Sequence, residues 1–400
     1  MITTGAFVVL VCALQPLDSQ AGEQTVFTGI DLLERADFRQ IENRHIGLIT
    51  NHTGVNHDGV SDIQLFHEAS NVSLVAIFSP EHGLLGKLDI PAIDNSEDPL
   101  TGIRVFSLYG ETRRPTSDML QNIDTLVFDI QDIGTRFYTY ISTMGEAMQA
   151  AAEHGIRFVV LDRPNPINGV SVSGPVLDEG SQSFVGFHRL PVRHGMTIGE
   201  LALMFNDELE LGLELEIIRL QGWNREDYFD ATGLRWINPS PNMRSLTQAI
   251  LYPGIGLLET TNLSVGRGTD TPFELIGAPW LDGEKLAGEL NRLELPGITF
   301  QATRFTPNAS KFEGQACAGI RFVIIDRQRF DPLQTGLEIA LKLRSLYPDT
   351  WEVDKYSRLL GNAEVLQAIR SGQSYTETKA LYADALTTFI ERRSHYIIYP

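Results

Sequence analysis

Four short apolar runs, each cut off at the same end by charged or amide side chains, restrict what this chain can fold into. Residues 44–51 (RHIGLITN) pass into Asn51-His52-Thr53-Gly54, and residues 71–77 (NVSLVAI) pass into Phe78-Ser79-Pro80-Glu81-His82-Gly83. Residues 124–130 (DTLVFDI) lead into Gln131-Asp132-Ile133-Gly134, and residues 157–162 (RFVVLD) into Arg163-Pro164-Asn165-Pro166. Their length and β-branched content are those of buried strands. Between the third and fourth runs, Ser142–His154 has helical spacing through Met144, Ala147, Met148 and Ala151, and it stops at Gly155. A strand, a helix and a strand at this spacing make a βαβ unit, so the strands are expected to be parallel. The fold class that follows is α/β, with a Rossmann-like parallel sheet.

Parallel strands place their carboxyl ends along one edge, where open α/β sheets bind ligands. That edge is expected to gather Asn51, Glu81 with His82, Asp129 with Asp132, and Asp162 with Arg163 and Asn165. Pro80 removes a ladder donor and ends its strand, and Gly83 permits a sharp turn just past it. Arg136, Tyr138 and Tyr140 follow the third strand, and residues 84–102 read as a long loop of the kind that forms lids. Met196–Leu209 reads as an amphipathic helix. Thr197 and Glu200 fit a capping box at its start, which assigns Glu200 to structure. His194, just before it, stays open between a site role and an ordinary loop role. Gly266-Arg267-Gly268 is a loop that presents a guanidinium to a carboxylate or phosphate.

The second half alternates differently. Helices are expected over 282–293, 335–347, 364–370 and 376–392, and strands over 299–305 and 320–326. The proline-rich turn Asn238–Met243 is a plausible crossing, so residues 22–248 read as the sheet domain. Residues 249–400 read as a smaller α+β domain that completes the cleft.

A formal net charge of −19 argues against nucleic acid or an anionic membrane as a bulk partner. No later run is long enough to span a bilayer. Residues 1–21 read as a secretory signal, with an apolar core at Gly5–Leu14 and small residues at Ser19-Gln20-Ala21, although Lys and Arg are missing before the core. This predicts an exported protein, periplasmic or extracellular, that retains Cys317 alone and no intrachain disulfide.

Two carboxylates in separate environments are the minimum for glycoside hydrolysis. Glu81 is the better acid, because Phe78 and Pro80 flank it and nearby aspartates disfavour its charge. Asp129 or Asp132 can orient water, stabilise positive charge on the sugar, or orient an N-acetyl group that attacks its own anomeric carbon. Tyr138 and Tyr140 can stack on a sugar, and Arg136, Arg163 or Arg267 can hold an acidic substituent. Glu81, His82, Asp129 and His52 can alternatively ligate a divalent metal, as in a metal-dependent hydrolase. A non-catalytic sugar-binding protein would use the same aromatic and arginine residues. The chain has no H-E-x-x-H, no paired C-x-x-C, no P-loop, no G-x-G-x-x-G after a strand and no G-x-S-x-G elbow.

Several long motifs carry a resemblance. They include Thr50–Gly54, Phe78–Gly83, residues 129–140 (DIQDIGTRFYTY) and Asp162–Pro166. Tyr252–Gly254, residues 261–270 (TNLSVGRGTD), Pro272–Glu274 and Gly277–Trp280 complete the set. Together they resemble the exo-β-N-acetylmuramidases of glycoside hydrolase family 171, from about residue 25 to the carboxyl end. The resemblance implies release of terminal N-acetylmuramic acid from the non-reducing end of peptidoglycan fragments. It implies a Rossmann-like catalytic domain with a smaller C-terminal domain and a cleft between them, and Glu81 as general acid. Asn262, within the second group of motifs, joins Arg267 as an expected substrate-binding residue. No cofactor or metal is expected on this reading.

Overall fold

The computed structural model describes residues 25–400, so the expected signal at 1–21 lies outside the described residues. Among the described residues, the first half builds nine strands in chain order. β1 is His45–Thr50, β2 Ser73–Ser79, β3 Ser96–Glu97, β4 Arg104–Ser107 and β5 Thr125–Asp129. β6 is Arg157–Leu161, β7 Ser173–Val176, β8 Pro191–Arg193 and β9 Leu215–Ile218. Seven form one sheet in the order β3-β4-β2-β1-β5-β6-β9, and β7 pairs with β8 apart from it. Every pairing in the large sheet is parallel except β3 with β4 at the edge. The chain builds outward from β1 to one side, then returns to its other side with β5, so the crevice beside β1 is the switch point where such folds bind ligands.

Helices cover both faces: α1 (Gly29–Arg35) and α2 (Asp62–Glu68) on one, α3 (Tyr140–His154) and α4 (Ile198–Glu208) on the other. The alternation along β5 shows why. Leu126 and Phe128 enter the core with Met144 and Met148 of α3, whereas Val127 enters the core with Leu33 of α1 and Phe66 of α2. With both faces covered, β5 is buried at every position, as a central parallel strand must be. The Thr197–Glu200 capping box is present at the start of α4.

The smaller C-terminal part holds an antiparallel sheet in the order β10-β12-β11, made of β10 (Leu275–Ala278), β11 (Ile298–Phe305) and β12 (Cys317–Ile324). Its helices are α5 (Leu246–Ile255), α6 (Gly283–Asn291), α7 (Pro332–Leu346), α8 (Ser357–Leu360), α9 (Ala363–Ser371), α10 (Tyr375–Ala380) and α11 (Ala383–Arg393). The single helix expected over 376–392 is thus two, because Tyr382 turns inward and is buried at the break. The Tyr252–Gly254 motif lies inside α5. A Cβ on Gly254 would sit 1.8 Å from the Pro332 carbonyl oxygen, so glycine is what lets α5 rest on α7. One continuous apolar core runs from the α3 face of the large sheet into these helices.

Candidate active site

A cavity of about 300 Å³ lies where the loop after β2, the loop after β5 and the C-terminal part meet. Glu81, His82 and Asp89 form one wall, Phe137–Tyr140 the floor, Ser240 and Asn242 a second wall, and Tyr252, Glu259, Arg267, Phe273 and Arg358 the far side. This size is at the small end of the roughly 300–1,000 Å³ typical of ligand clefts.

The turn after β2 is what delivers Glu81. His82 and Gly83 both take a left-handed backbone, with φ of 72° at each. For His82 that conformation is strained, and the bond of 2.7 Å between its Nδ1 and the Leu88 carbonyl secures it. Phe273, on the opposite wall, is also left-handed, with φ 63°. Thr139, the residue before α3, donates its hydroxyl to Glu81 Oε2 at 2.5 Å. Aromatic rings stand edge to face around the floor: Tyr138 to Tyr140 at 5.0 Å, Tyr138 to Tyr252 at 5.9 Å and Tyr252 to Phe273 at 4.7 Å between centroids. Their hydroxyls all hold their protons more firmly than usual, burial being the main cause and Glu81 adding to it. Beside them, burial and then Glu81 push the Tyr109 hydroxyl up to about 12.

Three carboxylates line the cavity, and two are held by one guanidinium. Arg267 bonds Glu259 through Nη1 and both Asp89 oxygens through Nη2, at 2.7 and 2.6 Å. Asp89 also accepts from Asn242. Partial burial works to raise the Asp89 pKa, yet Arg267 wins and pulls it below the usual range. Among the described residues, Glu81 is the cavity-lining carboxylate with no arginine or lysine partner, and Arg358 the cavity-lining guanidinium with no carboxylate partner. Tyr109, Thr139, Tyr252, Glu259 and Arg358 were not picked out as site residues from the sequence. Tyr252 stands in a recognisable motif, but the short helix of Arg358 carries no pattern that marks it.

The other residues expected at the strand ends reach the same edge of the sheet, but their side chains turn elsewhere. Asp129 is fully buried in a bidentate pair with Arg163, at 2.5 and 2.9 Å. Burial works against the Arg163 guanidinium, but Asp129, with Asp62 behind it, outweighs that and holds its proton tightly. Asp62, lacking such a partner, is driven well above the carboxylate range by burial and by Asp129. Arg163 borders a second, smaller cavity at the switch point with Thr53, Gln131 and Trp236. Asp162 accepts from Thr197, Tyr399 and the Arg163 and Gly199 amides, tying α4 and the carboxyl end to the sheet. Asn165 bridges Met196 and Ile167, and Asn262 bridges Thr350 and Glu352. Asn51 accepts from Thr53.

Arg136 is wholly buried and donates to the carbonyls of Pro175, Leu190, Leu359 and Leu360. Burial pulls it down to about 9. Asp132 sits beneath the floor, where it accepts from the Gly134 amide, and burial pushes it up to about 7. His194 lies 4.0 Å from it, but burial first and Arg393 second lower that imidazole to about 3, so it is neutral at ordinary pH. Its Nδ1 accepts from the Met196 amide, which puts the proton on Nε2, facing Asp132. No group of three or more His, Cys, Asp or Glu is placed to hold a metal ion among the described residues, and no helix there is long and apolar enough to cross a membrane.

Family profiles described as "Exo-beta-N-acetylmuramidase NamZ", N-terminal and C-terminal, match residues 46–247 and 250–399. The chain is 44% identical over 383 residues to the peptidoglycan β-N-acetylmuramidase NamZ of Bacillus subtilis (strain 168), covering 95% of this chain and 92% of that protein. Two crystal structures of DUF1343 family proteins from Bacteroides fragilis NCTC 9343 share the architecture. One is 37% identical with a TM-score of 0.88, covering 94% of this chain and 100% of that one. The other is 31% identical with a TM-score of 0.76, covering 94% and 99%. A small polar cavity at the sheet edge, two adjoining profiles and near full-length identity agree, and the chain belongs to the exo-β-N-acetylmuramidase NamZ family.

Proposed function

We propose that this chain is an exo-acting β-N-acetylmuramidase of peptidoglycan fragments in which Glu81 is the general acid. The observation that carries the assignment is Glu81's isolation. It is the cavity carboxylate that no guanidinium neutralises, and it stands among aromatic rings with one oxygen fixed by Thr139. A carboxyl group not committed to a guanidinium is free to face the glycosidic oxygen of a bound sugar. The cavity's size supports recognition of one terminal sugar, with Tyr138, Tyr140 and Tyr252 offering faces and hydroxyls to it. Residues 1–21, read as an export signal, support a substrate met outside the cytoplasm.

Asp89 and Glu259 are committed to Arg267, so the substrate's own N-acetyl group is the available nucleophile. Glu81 gives its proton to the glycosidic oxygen as the bond to C1 breaks, and the acetyl oxygen closes on C1. Water then opens the oxazolinium ring, and Glu81 takes back the proton that water loses. Glu81→Gln should lower kcat on a chromogenic N-acetylmuramide by about 10²–10⁴-fold with the fold unchanged. Near wild-type turnover would remove Glu81 from the mechanism. Replacing the N-acetyl by an N-trifluoroacetyl group should slow the wild-type enzyme at least tenfold. Time-resolved NMR should show the β-anomer released first, and initial release of the α-anomer would sink the internal nucleophile.

A further inference from the structure

The cavity wall holds two guanidiniums, and they are not equivalent. Arg267 faces two carboxylates, Asp89 and Glu259, so that group of three already carries a net negative charge. An incoming carboxylate placed there would be repelled, or would have to displace Asp89 from two bonds of 2.7 and 2.6 Å. Arg358 has no acidic partner within ion-pair distance among the described residues, and its side chain lines the same cavity from α8. In a protein of formal charge −19, an unpaired guanidinium lining an acid-lined cavity is where an anionic group would settle.

We propose that Arg358 is the specificity residue that grips the lactyl carboxylate of the terminal muramic acid, and that Arg267 is a structural clamp. This rests on the functional reading given above and assigns it a substrate contact. The backbone supports such a role. Arg136, buried beneath α8, donates to the carbonyls of Leu359 and Leu360 at 2.7 Å each, so the residue next to Arg358 is fixed from below. A planar guanidinium on a fixed backbone suits a bidentate carboxylate, which a lysine ammonium matches less well.

The test compares two chromogenic substrates that differ in the lactyl ether alone, an N-acetylmuramide and an N-acetylglucosaminide. Arg358→Gln should lower kcat/KM on the muramide by at least tenfold, mostly through KM, and should lower any turnover of the glucosaminide by much less, so that the preference between the two collapses. Arg358→Lys should recover part of the loss. Arg267→Gln should affect both substrates alike, because it releases Asp89 and Glu259 without removing the lactyl contact. If Arg358→Gln keeps the wild-type preference, or Arg267→Gln abolishes it, the assignment falls. Calorimetric binding of free N-acetylmuramic acid to wild type and Arg358→Gln reads the same contact without turnover, and equal affinities overturn it. A wild-type protein that binds muramic acid through Arg358 yet never cleaves a muramide would sink the glycosidase reading instead.

Discussion

Asp129 and Arg163 show how a side chain with catalytic chemistry can be spent on structure. Their bidentate pair is buried between the sheet and the loop after β1, with Arg163 also donating to the Val55 carbonyl. Removing one partner strands the other as a buried charge, which typically costs about 3–5 kcal/mol. Arg163→Met should therefore lose stability of about that size in urea denaturation, while the folded fraction keeps its kcat on a muramide. A selective loss of kcat with unchanged stability would return Arg163 to the chemistry. Asp132 and Asp162 carry a different signature, since burial pushes both up to about 7. A raised carboxyl pKa means the folded state holds a proton that the unfolded chain has released. The stability this contributes is complete below the ordinary carboxylate range near pH 4 and is lost as pH rises through about 7. Between those limits the wild-type protein should lose about 1 kcal/mol per pH unit relative to Asp132→Asn. Parallel stability–pH curves for the two proteins would contradict this.

Among the elements, the short α8 depends most on a distant one. Four residues cannot hold a helix by backbone bonding alone. The Arg136 guanidinium reaches from the loop after β5 to the last two carbonyls of that turn and to Pro175 and Leu190 of the β7–β8 ribbon region. Arg136→Met relieves a buried charge but leaves four carbonyls without their donor. The balance should cost about 2–4 kcal/mol and raise the KM for a muramide severalfold as α8 loosens. Denaturant melts and steady-state kinetics on the same preparation check both effects, and an unchanged KM would detach α8 from substrate binding. The turn after β2 is a second dependent element. Its left-handed His82 is held by the Leu88 carbonyl, and Asp89, one residue further, is held by Arg267 from the C-terminal part.

Taken together, the two parts of the chain share one core and one cavity, and neither half holds the site alone. Glu81 and the aromatic floor come from the sheet domain, whereas Tyr252, Arg267, Phe273 and Arg358 come from beyond residue 245. The parallel sheet, its helical cover and the edge at which the cavity lies were legible along the chain. Apolar runs of strand length and the βαβ spacing are local facts, and local patterning is what selects those elements. Glu81 stood out for the same reason, since a proline stop and a glycine turn announce a strand end. What each of the other polar side chains does was decided by tertiary structure. Asp129, Asp162, Arg163 and Arg136 look like Glu81 on the page. Their roles depend on whether a partner from a distant segment closes over them, and a buried charge must find that partner while an exposed one need not.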